Sequence, residues 1–349
     1  MRRPAVARGW RVLLLVVPLL ALAFVLVRWR GPEWGAVHDA FTVVRWRWVW
    51  AAVALNLLSV LARAVAWRTA IKQAMPPPHP AFPLVFSAFS VGLFANAVLP
   101  GRVGELARVA VLTRRMAGRS GAAATLIGSV FAHRVFDFFP ALALVVWVLL
   151  SAKVPHWAIT SLIAVSAVGS ALFAFAFVSA RRDHDGIDSL GRVRRLVTRA
   201  RTGLAVMRAP VAAVTAGIFQ FVGWALQLLA VYAAMRAFHI HLPLAAAGLV
   251  LVLMNVATIF PLWPGNIGLV QAAVALPLVP YGVAYPRGFA FGIGLQAIEA
   301  SVGVGIGLLF LAREGLSYAV LRQIPDAAAP EVEAVEAAAD EHARAGVSG

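Results

Sequence analysis

Long uninterrupted apolar runs, rather than alternation or an amphipathic stripe, organise this chain. A helix that crosses a bilayer needs about 20 apolar residues. Six runs reach that length, at roughly 12–29, 48–67, 121–150, 156–180, 210–236 and 287–312. Two further apolar regions, 82–113 and 243–280, are broken near their middles by Pro100-Gly101 and Pro264-Gly265. Proline removes a helical N–H and glycine loosens the backbone, so each arm is too short to cross alone. The pattern predicts an all-α polytopic membrane protein with about six transmembrane helices and two re-entrant broken-helix hairpins.

The polar positions between the runs set the topology, because loops rich in Lys and Arg stay in the cytoplasm. With a basic cytoplasmic N-terminus (1–11), segments two and four return to Arg68 and Lys72 and to the loop 181–208, which carries eight arginines. Those loops, Arg114, Arg115 and Arg119 after the first hairpin, and Arg313 and Arg322 after segment six then share one face. This holds if both broken regions enter and leave on the same side. Full crossings would turn 181–208 outward. Arg28, Arg30, Arg45 and Arg47 are an outward exception, interleaved with tryptophans 29, 34, 46, 48 and 50 as at a headgroup interface. The layout contains an inverted repeat, one unit over about 48–150 and the other over about 210–312. Its hairpins share Pro100-Gly-Arg-Val-Gly104 and Pro264-Gly-Asn-Ile-Gly268. Inverted repeats with broken helices place transporter sites where the breaks meet.

Composition narrows the picture further. The chain is 61% hydrophobic and 13% charged, more apolar surface than a soluble core could bury. Its net charge of +16 would suit nucleic acid in a soluble protein, but clustering between apolar runs assigns it to topology and anionic headgroups instead. No nucleic-acid partner is expected. The absence of cysteine excludes disulfides, thiolate metal sites and cysteine nucleophiles. The apolar run after the basic N-terminus continues past Ala21-Leu-Ala23 to Arg28, which favours an uncleaved signal anchor. Residues 316–349, rich in Ala and acid, read as a disordered cytoplasmic tail.

Charged residues inside the apolar regions carry the candidate chemistry, since ionisable groups at membrane depth are costly. Arg102, Glu105 and Arg108 recur every three residues, so a helix starting near Gly101 would align them. Its N-terminus and its arginines suit a phosphate or carboxylate, with Glu105 orienting a guanidinium, so Asn96, Pro100, Gly101, Arg102, Gly104, Glu105 and Arg108 form the expected headgroup-binding set. The plainer alternative is a shallow hairpin whose arginines snorkel to the interface. His133, Arg134 and Asp137 share a face of segment three, either as an internal ion bridge or as a gate on the substrate path. In the second half Pro264, Gly265, Asn266, Gly268, Gln271, Gln296 and Glu299 occupy comparable places with less charge and are expected to complete or gate the cavity. Glu299 reads as hydrogen-bonded scaffold near a helix end rather than a proton site. His239 and His241 read as a loop turn, and no metal or cofactor is expected. No nucleotide-binding or hydrolase motif occurs, which leaves no enzymatic activity to expect.

At Leu99-Pro-Gly-Arg-Val-Gly-Glu-Leu-Ala-Arg108, Arg134-Val-Phe-Asp137 and Pro264-Gly-Asn-Ile-Gly268 the chain resembles the flippase-like family that includes the transmembrane region of lysylphosphatidylglycerol synthases. The resemblance spans most of residues 12–315. It implies movement of lipid between leaflets without the aminoacyl-transfer step of the family's soluble domain, which is lacking here. The lipid expected is a membrane phospholipid or a polyprenyl- or hopanoid-type lipid, and the location the bacterial inner membrane, with both termini cytoplasmic. The family usually has an acid where Gln271 and His133 stand, so those positions lack the carboxylates of a proton or cation site. Two alternatives are an intramembrane lipid-modifying enzyme using Glu105, Arg134 and Asp137, and a non-transporting scaffold for a lipid-biosynthesis membrane partner.

Overall fold

The structure, a computed structural model, describes residues 32–99, 103–116, 122–181, 209–259 and 266–314, the side chains of 124 and 175–181 excepted. All regular structure in this part is helical: α1 (Trp34–Thr42), α2 (Trp46–Ala74), α3 (Phe82–Val98), α4 (Gly104–Arg115), α5 (Ala122–Ser151), α6 (His156–Arg181), α7 (Pro210–Ala237), α8 (Leu244–Ala257), α9 (Leu269–Ala275) with a following 3-10 turn (Leu276–Tyr281), and α10 (Tyr285–Arg313). Among the described residues five helices, α2, α5, α6, α7 and α10, are long and apolar enough to cross a bilayer. The sixth expected span, 12–29, lies outside the described residues, as do the loop 182–208 and the tail.

Proline punctuates these helices. Pro76, Pro77 and Pro78 follow the end of α2, where their missing N–H groups and fixed φ prevent continuation. Prolines in the first turns of α3, α7 and α10 fall where no intrahelical N–H bond is lost. The broken regions form two pairs of short helices. With 17 and 12 residues, α3 and α4 would extend only about 25 and 18 Å at 1.5 Å per residue, less than the roughly 30 Å of bilayer hydrocarbon.

The α3–α4 pair is a hairpin. Asn96 Oδ1 accepts a hydrogen bond from Gly104 N–H at 2.8 Å, and a Cβ built at Gly92 would lie 3.2 Å from Arg108 Cβ. Residues progressively farther from the break therefore meet, as they do only when α4 runs back along α3. Gly104 has to be glycine, because a Cβ there would overlap the Gly92 carbonyl and the Asn96 amide. The expected helix start near Gly101 moves to Gly104, since Val103 is in a turn and the Asn96 side chain takes the helix's first N–H. In the second pair, the Asn266 amide donates to Ala257 O at 2.9 Å, tying the end of α8 to the approach to α9. Gly268, with φ +92°, occupies a backbone region that favours glycine. Its N–H is taken by Gln271 Oε1 at 2.6 Å.

Helices from the two halves of the chain interleave. Central to the fold is the antiparallel pair α2 and α7, the most extensive helix contact, in which Arg45 N–H donates to Ala237 O at 3.0 Å and Ser59 Oγ donates to Gly223 O at 2.7 Å. The last helix of each half crosses to the other. Val302 and Leu311 of α10 join the first half's core with Phe89, Phe94 and Leu112, while Val145 and Val148 of α5 pack with Leu249 and Leu253 of α8. Phe291 and Leu295 at the start of α10 remain in the second half's core with Val250, Val274 and Leu278.

Candidate functional site

Where α4 meets α2, α3 and α5, the structure forms a partly open cavity of about 60 Å³, lined by Arg63, Asn96, Glu105, Arg108, Arg134 and Asp137 among others. One water needs roughly 10–15 Å³ of such space, so the cavity has room for several waters or one phosphate-sized group. Arg63, Arg134 and Asp137 lie near the middles of helices long and apolar enough to cross a bilayer, away from their ends.

Each charged side chain is held in a definite way. Arg108, 4% exposed, presents its guanidinium 4.7 Å from the ring centre of Trp67 and 5.4 Å from that of Phe89. Trp67 is fully buried and fixed by its indole N–H, which donates to Ser129 Oγ at 3.2 Å. Stacking of this kind fixes the guanidinium plane and compensates part of its desolvation. The Glu105 carboxylate pairs with both Arg108 and Arg134. Arg134 also reaches Asp137 Oδ2 at 3.2 Å, one helical turn on. The other oxygen of Asp137 accepts from the Gln220 amide and from the Trp224 indole N–H at 2.9 Å, both on α7.

A second layer adjoins the first through Arg63. Its guanidinium lies 5.2 Å from the Trp224 ring centre and donates to Gln227 Oε1, whose amide in turn approaches Glu299 Oε1 at 3.4 Å. Several buried polar atoms here have no hydrogen-bond partner among the described residues: Arg63 Nε, Arg108 Nε, His133 Nδ1 and Gln220 Oε1. An unmade hydrogen bond at such depth costs about 1–3 kcal/mol. Concentrated around one cavity, these groups describe a surface arranged for something polar to enter.

The family model described as the lysylphosphatidylglycerol synthase TM region matches residues 10–307. The chain belongs to that family. Comparisons with curated proteins and with solved structures return no significant match. As a lysylphosphatidylglycerol synthase TM-region protein, it is a multi-pass membrane protein related to lipid metabolism or transport.

Within this family member the residues singled out from sequence fall into four groups. Asn96, Gly104, Glu105, Arg108, His133, Arg134 and Asp137 line this cavity. His133 does so with its ring edge-on to Phe89, the centres 5.9 Å apart. Asn266, Gly268, Gln271 and Gln296 lie away from it, in a network around the second break where the Gln271 amide donates to Gln296. Pro100, Gly101, Arg102, Pro264 and Gly265 lie outside the described residues. Glu299 sits midway along α10 rather than near its end, within reach of Gln227.

Sequence reading missed Arg63, Trp67, Gln220, Trp224 and Gln227. The signal for Arg63 was present, a lone arginine deep in an apolar run long enough to span. Gln220, Trp224 and Gln227 follow one another by four and three residues, the spacing of one helix face.

Proposed function

We propose that this protein moves a lipid between the leaflets of the bacterial inner membrane, admitting its anionic headgroup to the cavity between the first hairpin and α5. The observation that carries this reading is the set of three arginines and two carboxylates lining one small space between the middles of long apolar helices, with Arg63 Nε and Arg108 Nε unpartnered among the described residues. As mere scaffolding the arrangement is costly. Each ionisable residue at a helix centre in lipid costs about 2.5–3.5 kcal/mol on insertion scales, and apolar packing would hold the same helices at lower cost. As a headgroup site, the excess of guanidinium over carboxylate is what an anion needs, and the flat, forked guanidinium matches phosphate oxygens.

The reading includes no bond-making step. Arg108, fixed against Trp67 and Phe89, binds the headgroup, Arg134 bridges it to α5, and Asn96 with Gly104 holds α4 in place. Acyl chains stay in lipid alongside the apolar helices.

The test is leaflet exchange of a fluorescent phosphatidylglycerol in liposomes that contain the purified full chain. Wild type should accelerate exchange over protein-free liposomes. Arg108→Gln should slow it by about tenfold or more, the effect of losing about 1.4 kcal/mol of headgroup binding. Exchange by the folded variant at the wild-type rate would remove the cavity from the transport path.

A further inference from the structure

The two carboxylates in the cavity are held in different ways. Asp137 is anchored by neutral donors, the Gln220 amide and the Trp224 indole, as well as by Arg134. No incoming anion can take the place of those donors. Glu105, among the described residues, is held by Arg108 and Arg134 alone, the groups an anionic ligand would seek. It is also the more accessible partner of the Glu105–Arg108 pair, its side chain 28% exposed against 5%. Arg108 Nε, beside the pair, has no hydrogen-bond partner among the described residues.

Resting on the headgroup-site reading, we infer that the Glu105 carboxylate holds the place of a ligand phosphate, and that a phosphate group enters by displacing it from Arg108 and Arg134. Two carboxylate oxygens reach one edge of each guanidinium. A phosphate has more oxygens to offer, enough to address both arginines and the unpartnered Arg108 Nε together. Among the charged residues lining the cavity, three guanidiniums stand against two carboxylates. A singly charged phosphodiester would neutralise that excess, whereas the resident Glu105 leaves it in place. Glu105 thus acts as a built-in competitor: it keeps the arginines occupied when no ligand is bound, and its return favours ligand release. Both are useful to a carrier, because a site that binds too tightly cannot let go.

Removing the competitor should strengthen binding while a purely structural Glu105 would not. The full chain in maltoside micelles, which contain no phosphate, would be titrated calorimetrically with short-chain phosphatidylglycerol and, separately, with inorganic phosphate. Glu105→Gln keeps the side chain's shape and should bind at least about tenfold tighter than wild type. Arg108→Gln should lose binding. A gain with phosphatidylglycerol alone identifies the ligand as a lipid headgroup, and a gain with both identifies any accessible phosphate. Equal or weaker binding by folded Glu105→Gln with both ligands overturns the inference.

If that variant does not fold, carbodiimide labelling of wild type read by mass spectrometry decides. Phosphatidylglycerol should raise labelling of Glu105 and leave Asp137 unchanged; an unchanged or lowered Glu105 signal overturns the inference. The two readings can fail separately. Tighter binding by Glu105→Gln without leaflet exchange by wild type would keep the displacement and discard transport. Leaflet exchange with no change on removing Glu105 would do the reverse.

Discussion

Gly104 joins backbone and site chemistry. Its missing side chain lets α4 press against α3, and its N–H is the one Asn96 takes, so the Glu105–Arg108 pair one residue later is aimed by the same contact. Gly104→Ala would drive a methyl group into the Gly92 carbonyl and the Asn96 amide. It should lower stability by about 1–3 kcal/mol, the usual cost of overpacking, measured as a lower melting temperature in detergent. Gly305→Ala, on α10 with open space around it, should leave the melting temperature unchanged or raise it slightly. At this scale the spacing of Glu105 and Arg108 was legible, because three residues within a helix fix their meeting. The partnership of Glu105 with Arg134 was not, because 29 residues and a turn separate them and only packing of α4 on α5 brings them together. Arg63 was overlooked when its segment was judged by length alone.

At the scale of elements, the first hairpin is clamped to α10 beyond its apolar stretch. Glu314, directly after α10, accepts from Arg115 Nε at the end of α4 and from Ser87 Oγ of α3, each at 2.8 Å. Burial alone would push the Glu314 carboxyl up, but these hydrogen bonds, with the Arg115 charge, hold it below the usual carboxylate range. A folded-state value below the unfolded one stabilises the protein above the ordinary carboxylate pKa, and this contribution is lost as pH falls through the depressed value. Glu314→Gln should therefore lower the melting temperature near pH 7, by an amount corresponding to about 0.5–1 kcal/mol, since solvent at the half-exposed Arg115 screens the pair. The gap from wild type should close as the pH falls below the ordinary carboxylate range. A gap independent of pH would show that the clamp does not depend on the carboxylate's charge. The breaks at Pro100 and Pro264 were legible as punctuation, and the described helices on either side of them begin and end near the expected limits. The exact start of α4 was not, since it depends on Asn96 reaching across the turn.

For the whole molecule, two packed halves share an antiparallel pair, α2 and α7, and exchange the far ends of α5 and α10. Run length was enough to read an all-helical membrane protein with long apolar helices and shorter ones between them, because a bilayer imposes a minimum on any helix that crosses it. What run length could not show is which side chains meet. The cavity gathers charge from α2, α4 and α5 of the first half, while Asn266, Gln271 and Gln296, beyond the second break, make amide hydrogen bonds. The account depends on the first hairpin entering and leaving the membrane by one face, which brings Arg108 to Arg63 and Arg134 at depth. The absence of cysteine permits single-cysteine labelling without background. Gln73→Cys at the end of α2 and Arg114→Cys at the end of α4 are exposed positions flanking the hairpin, and Lys153→Cys lies beyond the far end of α5. In sealed, oriented vesicles treated with an impermeant maleimide, residues 73 and 114 should label from the same side and residue 153 from the other. Labelling of 73 and 114 from opposite sides would contradict the account.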